Sequence, residues 1–166
     1  IFCSAGGSGD FSAPAFLSVT GQIAQAKLLV QSKTKCRKFI AYFQAYTNTY
    51  APTDYLRRIF TEAIEHPDIV ALSIATRCDC LPEDVIALLR ELNQKKPVWV
   101  ELGLQTIHEE TLSFIRSGFT LEQYHRAVHA LAENEIPCIT HLILGLPGET
   151  REQMLSSVTH VASLPV

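Results

Sequence analysis

No run of apolar residues in this chain approaches the roughly 18 that a membrane-spanning helix requires, and no basic-then-apolar leader opens it. A disulfide framework is also missing. Cys3, Cys36, Cys78, Cys80 and Cys138 fall at no paired spacing, which points to a reducing cytoplasm with thiols free or on metal. Charge is sparse: 19% of the 166 residues are charged and the net charge is -3. Slight net acidity and the absence of any Lys/Arg run argue against a broad electrostatic platform for nucleic acid, and leave room for a local basic groove. No phosphate-binding loop is present either, because Gly145-Leu146-Pro147-Gly148 is not followed by Gly-Lys-Ser/Thr. Methionine occurs once, at Met154, and the chain runs from Ile1 to a Leu164-Pro165-Val166 end directly after a helical segment. It therefore reads as an excerpt, residues 1-166 being a fragment of a single domain.

With 47% hydrophobic residues, the chain has enough to bury a real core. Its first unusual stretch is Cys3-Ser4-Ala5-Gly6-Gly7-Ser8-Gly9-Asp10-Phe11. Three glycines in four positions let a backbone fold closely round a bound object, and a thiolate on such a loop is a natural metal or cluster ligand. The alternative is a glycine-rich end with one chance thiol.

Beyond it the pattern becomes regular. Thr20 to Ser32 reads as an amphipathic helix, followed by the short apolar strand Phe39 to Gln44. Thr53 can cap a helix running to about Glu65, whose inner face is Leu56, Ile59, Phe60, Ala63 and Ile64. Ile69 to Ala75 is a second strand, and Pro82 opens a helix that buries Val85, Leu88, Leu89 and Leu92. A third strand, Val98 to Leu104, precedes a short helix near Glu109 to Arg116. Thr120 and Gln123 form a capping box for the next helix, Cys138 to Leu144 is the fourth strand, and Thr150 with Gln153 caps the last helix. The starts near 39, 69, 98 and 138 recur at the length of one strand-helix unit. Four such units with no crossover signal predict a parallel α/β fold, an arc of a (β/α) barrel in preference to a doubly wound sheet.

Alternation then sorts the strand residues. One face carries Tyr42, Gln44 and Tyr46, then Ala71, Ser73 and Ala75, then Trp99, Glu101, Gly103 and Gln105, then Ile139, His141, Ile143 and Gly145. If these faces turn inward, they line a polar cavity toward the strands' C-terminal ends, where barrel enzymes bind substrates. Glu101 is the sharpest case. A carboxylate in mid-strand needs a partner or a ligand, since burying it alone costs several kcal/mol. It can bind a cationic amine, or simply bond to His141 on the next strand. Cys78-Asp79-Cys80 is too tightly spaced for a zinc pair, and no second pair exists.

Five ordered segments carry a resemblance: Phe2 to Phe11, Tyr42-Phe43-Gln44-Ala45-Tyr46-Thr47-Asn48-Thr49-Tyr50, Leu72-Ser73-Ile74-Ala75-Thr76-Arg77, Trp99-Val100-Glu101-Leu102-Gly103-Leu104-Gln105-Thr106 and Leu144-Gly145-Leu146-Pro147-Gly148-Glu149-Thr150. Together they resemble the YhcC/YtqA family of radical S-adenosylmethionine (radical SAM) proteins, related to the Elongator catalytic subunit. The resemblance implies an incomplete parallel (β/α)6 partial barrel, with about four strand-helix units here and the family's first and sixth strands missing. It implies a 4Fe-4S cluster on three cysteines, of which Cys3 would be the last. S-adenosylmethionine would be cleaved reductively there to a 5'-deoxyadenosyl radical. With the other two cysteines upstream of Ile1, the segment by itself is expected to be inactive. The resemblance puts Gln44, Ser73, Glu101 and Gln105 near the amino acid and ribose of S-adenosylmethionine, Arg116 near its carboxylate, and Gly145, Leu146 and Pro147 against the adenine. It implies a reductant such as flavodoxin or ferredoxin, and tRNA as a substrate through the Elongator kinship. Two other readings stand beside it: a cluster-free barrel enzyme with Glu101 and His141 as acid and base, and a non-catalytic nucleotide-binding module.

Overall fold

The computed structural model describes residues 13–14, 16–44 and 46–166. The glycine loop, Cys3 included, lies outside the described residues. The elements are α1 (Val19–Val30), β1 (Phe39–Phe43), α2 (Thr53–Glu65), β2 (Ile69–Thr76), α3 (Glu83–Asn93), β3 (Val98–Gln105), α4 (Glu109–Phe114), α5 (Leu121–Glu133), β4 (Cys138–Leu142) and α6 (Arg151–Ala162). A single 3-10 turn, Cys78–Cys80, stands between β2 and α3.

All four strands start where alternation and spacing place them, and they pair in parallel in the order β1-β2-β3-β4. The order never doubles back. Each unit is laid beside its predecessor in the same direction, as in a barrel arc and unlike a doubly wound sheet. Among the described residues β1 and β4 are the edges.

The element ends differ in small, explicable ways. Helix α1 begins at Val19 because Ser18 caps it, its hydroxyl accepting from the Gly21 amide at 3.1 Å. It buries no residue, and is less amphipathic than its sequence suggests. Helix α4 stops at Phe114, two residues short of Arg116, whose φ of 53° is left-handed. Strand β4 ends at Leu142 because its register with β3 slips between Gly103 and Gln105, where Gln105 has a φ of 72°. The two capping boxes form as expected. Thr120 and Thr150 each accept from the amide three residues on at 3.2 Å, and Gln123 and Gln153 accept from the cap amides at 2.8 and 2.9 Å.

One face of the sheet is covered by helices. Leu56, Phe60 and Ile64 of α2, Val85, Leu88 and Leu92 of α3, and Tyr124, Val128 and Leu131 of α5 join Leu72, Ile74, Val98, Val100, Leu102 and Leu104 in one core. Burying each such side chain fully contributes roughly 1.5–3 kcal/mol, so this layer holds the sheet together. Tyr124 is fully buried, and its hydroxyl is satisfied by Thr140 at 2.7 Å. The alternate strand residues, Ile40, Tyr42, Trp99, Glu101, Ile139 and His141, stay at least partly accessible.

Between α5 and α6 the Nε2 atoms of His125 and His160 approach to 2.7 Å. One ring must donate and the other accept, so at least one must be neutral. Burial, then His160 and His129, hold the His125 imidazole below its ordinary pKa. A folded-state value below the unfolded one means that the native state takes up its proton less readily. Stability is therefore full above the unfolded value, about 6.5, and is lost as pH falls through the folded one. The thermal midpoint should drop on acidification through that window, and His125→Gln should flatten the drop. An identical pH profile in the variant would remove this contact from the account.

Candidate functional site

The accessible face of the sheet converges on Glu101. Its Oε2 accepts from the Tyr42 hydroxyl at 3.1 Å and from His141 Nε2 at 2.7 Å, and its Oε1 accepts from the Ser73 hydroxyl. Strands β1, β2 and β4 thus each aim a donor at a carboxylate on β3. Since a carboxylate only accepts, His141 must carry its proton on Nε2. Burial raises the Glu101 carboxyl, but the bonds from Ser73, His141 and Tyr42 outweigh it and hold the group below the usual carboxylate range. Burial, then the Glu101 charge and the bond to it, push the Tyr42 phenol up. The result is an ionised carboxylate with roughly four acceptor directions, of which three protein donors take one each. One direction is left for a cation.

Two steps up the same strand, Gln105 ends β3, and its side chain folds back over Gly103. A Cβ added at Gly103 would meet the Gln105 amide nitrogen at 2.5 Å, so the missing side chain there is what gives the amide its place. Gln44, just past β1, is exposed, and so is Arg116, which makes no ion pair among the described residues. Gly145 turns the chain after β4 with a φ of 88° and open space where a Cβ would stand. Leu146 behaves differently from its neighbours. Its side chain packs with Leu112 and Ile115, leaving the Gly145 backbone and the exposed Pro147 as what this turn can offer a ligand.

The loops are fastened by polar residues. Asn48 Nδ2 donates to the carbonyls of Phe43 and Ala75 at 3.1 and 2.9 Å, and Thr49 bonds Thr76 and the Cys80 carbonyl. The loop after β1 is thereby tied to the end of β2. Thr106, fully buried, donates to Glu149, which ties the Gly145 turn to the end of β3. Among the described residues this face forms an open surface, without the enclosed cavity that alternation suggests. Two concavities of about 440 and 470 Å³ lie elsewhere, one lined by Arg57, Arg90 and Gln94, the other by Thr49 to Pro52 with Asp79, Cys80 and Pro82.

Neither iron nor sulfide finds a holder among the described residues. They contain no group of three or more His, Cys, Asp or Glu able to hold a metal ion. Cys78 and Cys138 are buried, and burial pushes their thiols up to about 12 and about 11, which disfavours the thiolate form that ligates metal. The expected cluster ligand, Cys3, lies outside the described residues. S-adenosylmethionine is another matter: an ionised carboxylate on the sheet face and a bare backbone turn after β4 are groups of the kind that suit its ammonium and adenine.

Sequence reasoning passed over three residues or groups that the fold makes prominent. Tyr42 was legible by alternation as a face residue, but its bond to Glu101 was not. Trp99 has a buried indole Nε1 with no partner among the described residues. Finally, the expectation that the chain has no Lys/Arg run is corrected by Lys33, Lys35, Arg37 and Lys38, a cluster that the net charge conceals, since residues 11–53 contain five basic residues and no acidic one.

No helix among the described residues is long and apolar enough to cross a membrane. The model of the radical SAM superfamily matches residues 1–161. The uncharacterized protein YtqA of Bacillus subtilis is 44% identical over 165 residues, 99% of this chain and 51% of YtqA. A tRNA uridine(34) acetyltransferase of Methanocaldococcus jannaschii is 37% identical over 91 residues, 55% of this chain and 16% of that protein. In fold, the chain is similar to the solved structure of Methanocaldococcus infernus Elp3 with an N-terminal deletion, with a TM-score of 0.67, 22% identity, and coverage of 83% of this chain and 36% of that one. The chain spans about half the length of YtqA. A family model that takes in nearly every residue, on four parallel strand-helix units, establishes that the chain belongs to the radical SAM superfamily and, within it, to the YhcC/YtqA family.

Proposed function

We propose that the protein is a radical SAM enzyme in which the Glu101 cluster receives the amino group of S-adenosylmethionine. The observation that carries this is the ionised carboxylate, held by Tyr42, Ser73 and His141 on a sheet face that no described helix covers, with one acceptor direction free. In this reading Ser73 and Glu101 orient the amino acid, Gln44 and Gln105 reach toward the ribose, and Arg116 pairs with the carboxylate. Gly145, Leu146 and Pro147 form the adenine edge, Gly145 and Pro147 facing it and Leu146 anchoring the turn from behind. Cys3 serves as one cluster ligand. When bound, the cluster and S-adenosylmethionine supply one-electron cleavage of a carbon-sulfur bond and hydrogen-atom abstraction from a substrate. Flavodoxin or ferredoxin suits the role of electron donor.

RNA, in particular tRNA, is the substrate class that best fits the chain's kinship to a tRNA-acting relative. The test is anaerobic reconstitution of the full-length protein, all three cluster cysteines present, with iron and sulfide, then S-adenosylmethionine with dithionite and an assay for 5'-deoxyadenosine. Its formation supports the reading. A colourless, iron-free protein that makes none would sink it.

A further inference from the structure

The four strands are parallel, so their N-terminal ends share one end of the sheet, and that end is basic. Lys33, Lys35, Arg37 and Lys38 stand exposed in the connection that leads into β1. The run is ordered: the amides of Lys33 and Thr34 bond the Val30 carbonyl, and the Lys38 amine donates to the Pro67 carbonyl at 2.8 Å. Lys33, Lys35 and Arg37 make no ion pair among the described residues. The nearby acids are already engaged, Asp68 by Lys27 and Glu65 by Lys95. Glu133 and Glu135 lie at the far side, before β4. Four cations within six residues, none in an ion pair among the described residues, suit a polyanion whose charges repeat along a backbone.

A second observation lies on the uncovered face between that end and Glu101. Trp99 precedes Glu101 by two residues of the same strand, about 7 Å toward the basic end. Its indole Nε1–H is buried and without a partner among the described residues, although a buried tryptophan N–H ordinarily has one. On the same face Ile139 of the adjacent strand β4 and Ile40 of the edge strand β1 lie half exposed. A planar group with an acceptor on its rim would stack on the indole or take its proton donor, as an unpaired nucleobase can.

We propose that single-stranded RNA enters the uncovered sheet face from its basic end, with phosphates on Lys33, Lys35, Arg37 and Lys38 and one base held by Trp99 next to Glu101. This deepens, and rests on, the RNA-substrate reading above.

The chain's one tryptophan makes the test direct. A single-stranded oligouridylate is titrated into the full chain while indole fluorescence and the anisotropy of a labelled copy are followed. Binding should quench the indole, and four phosphate contacts should weaken it about 50-fold between 50 and 200 mM salt. Replacing all four basic residues by Gln should abolish most of that salt dependence. Trp99→Leu should weaken binding about 5- to 150-fold while leaving the salt dependence in place. Circular dichroism and S-adenosylmethionine binding serve as fold controls for both variants. RNA binding without quenching, or unchanged in the Gln variant, would overturn this surface and leave the RNA reading standing. No RNA binding by the parent chain, or capture by phosphatidylserine vesicles in its place, would overturn both. Loss of S-adenosylmethionine binding alone would strike only the cofactor site.

Discussion

Glu101→Gln is expected to lower affinity for S-adenosylmethionine about 10- to 150-fold, the equivalent of one charge-assisted hydrogen bond of roughly 1.5–3 kcal/mol. The substitution is nearly isosteric and keeps an oxygen for one of the donors. It removes the negative charge and turns one acceptor into a donor that faces Ser73, or Tyr42 and His141. The fold should survive, because the helix-covered core lies on the other face of the sheet. Calorimetric titration of reconstituted protein measures the loss, and a melting curve separates it from unfolding. Equal affinity in the two proteins would remove Glu101 from the cofactor site and return it to a structural hydrogen bond. Because its donors hold the carboxyl below the usual range, the wild-type affinity should carry no Glu101 titration between about pH 5 and 8.

Phe60→Ala should cost about 3–5 kcal/mol of stability, the range for deleting a buried aromatic side chain. Phe60 is fully buried, and its ring meets that of Phe43 edge-to-face at 4.9 Å and 83°. That pair fastens the edge strand β1 to α2. Strand β1 also carries Tyr42, so the loss should reach the site: amide exchange along β1 should quicken before the rest of the sheet loosens. Phe60→Leu retains much of the volume and should cost less. Denaturant unfolding of the three proteins orders them, and a Phe60→Ala midpoint equal to wild type would mean that β1 is held by something else. Against a typical total of roughly 5–15 kcal/mol, the alanine variant approaches the threshold of folding.

The strands, the helices and their inner faces were legible in the sequence because each depends on neighbours only a few residues away. Alternation put Ser73, Glu101 and His141 on one side of their strands, and a Thr and Gln three residues apart announced both capping boxes. Less local features were hidden. Where β4 stops depends on the register slip at Gly103 and Gln105, a property of two strands together. Leu146 reads as part of a ligand-facing turn, yet packs on Leu112 and Ile115, which belong to another unit. The basic run disappeared into a net charge of -3 because a sum over the chain keeps no record of place.

What the sequence determined alone is the architecture of repeated strand-helix units and the list of polar residues that share a sheet face. Periodicity is a short-range property of the backbone, and it survives without knowledge of what lies across the sheet. The tertiary structure alone decided that Tyr42, Ser73 and His141 all reach one carboxylate, from 59, 28 and 40 residues away along the chain. Those separations are closed only by parallel pairing in a fixed register, since a slip of one residue on any strand would send its donor to the opposite face.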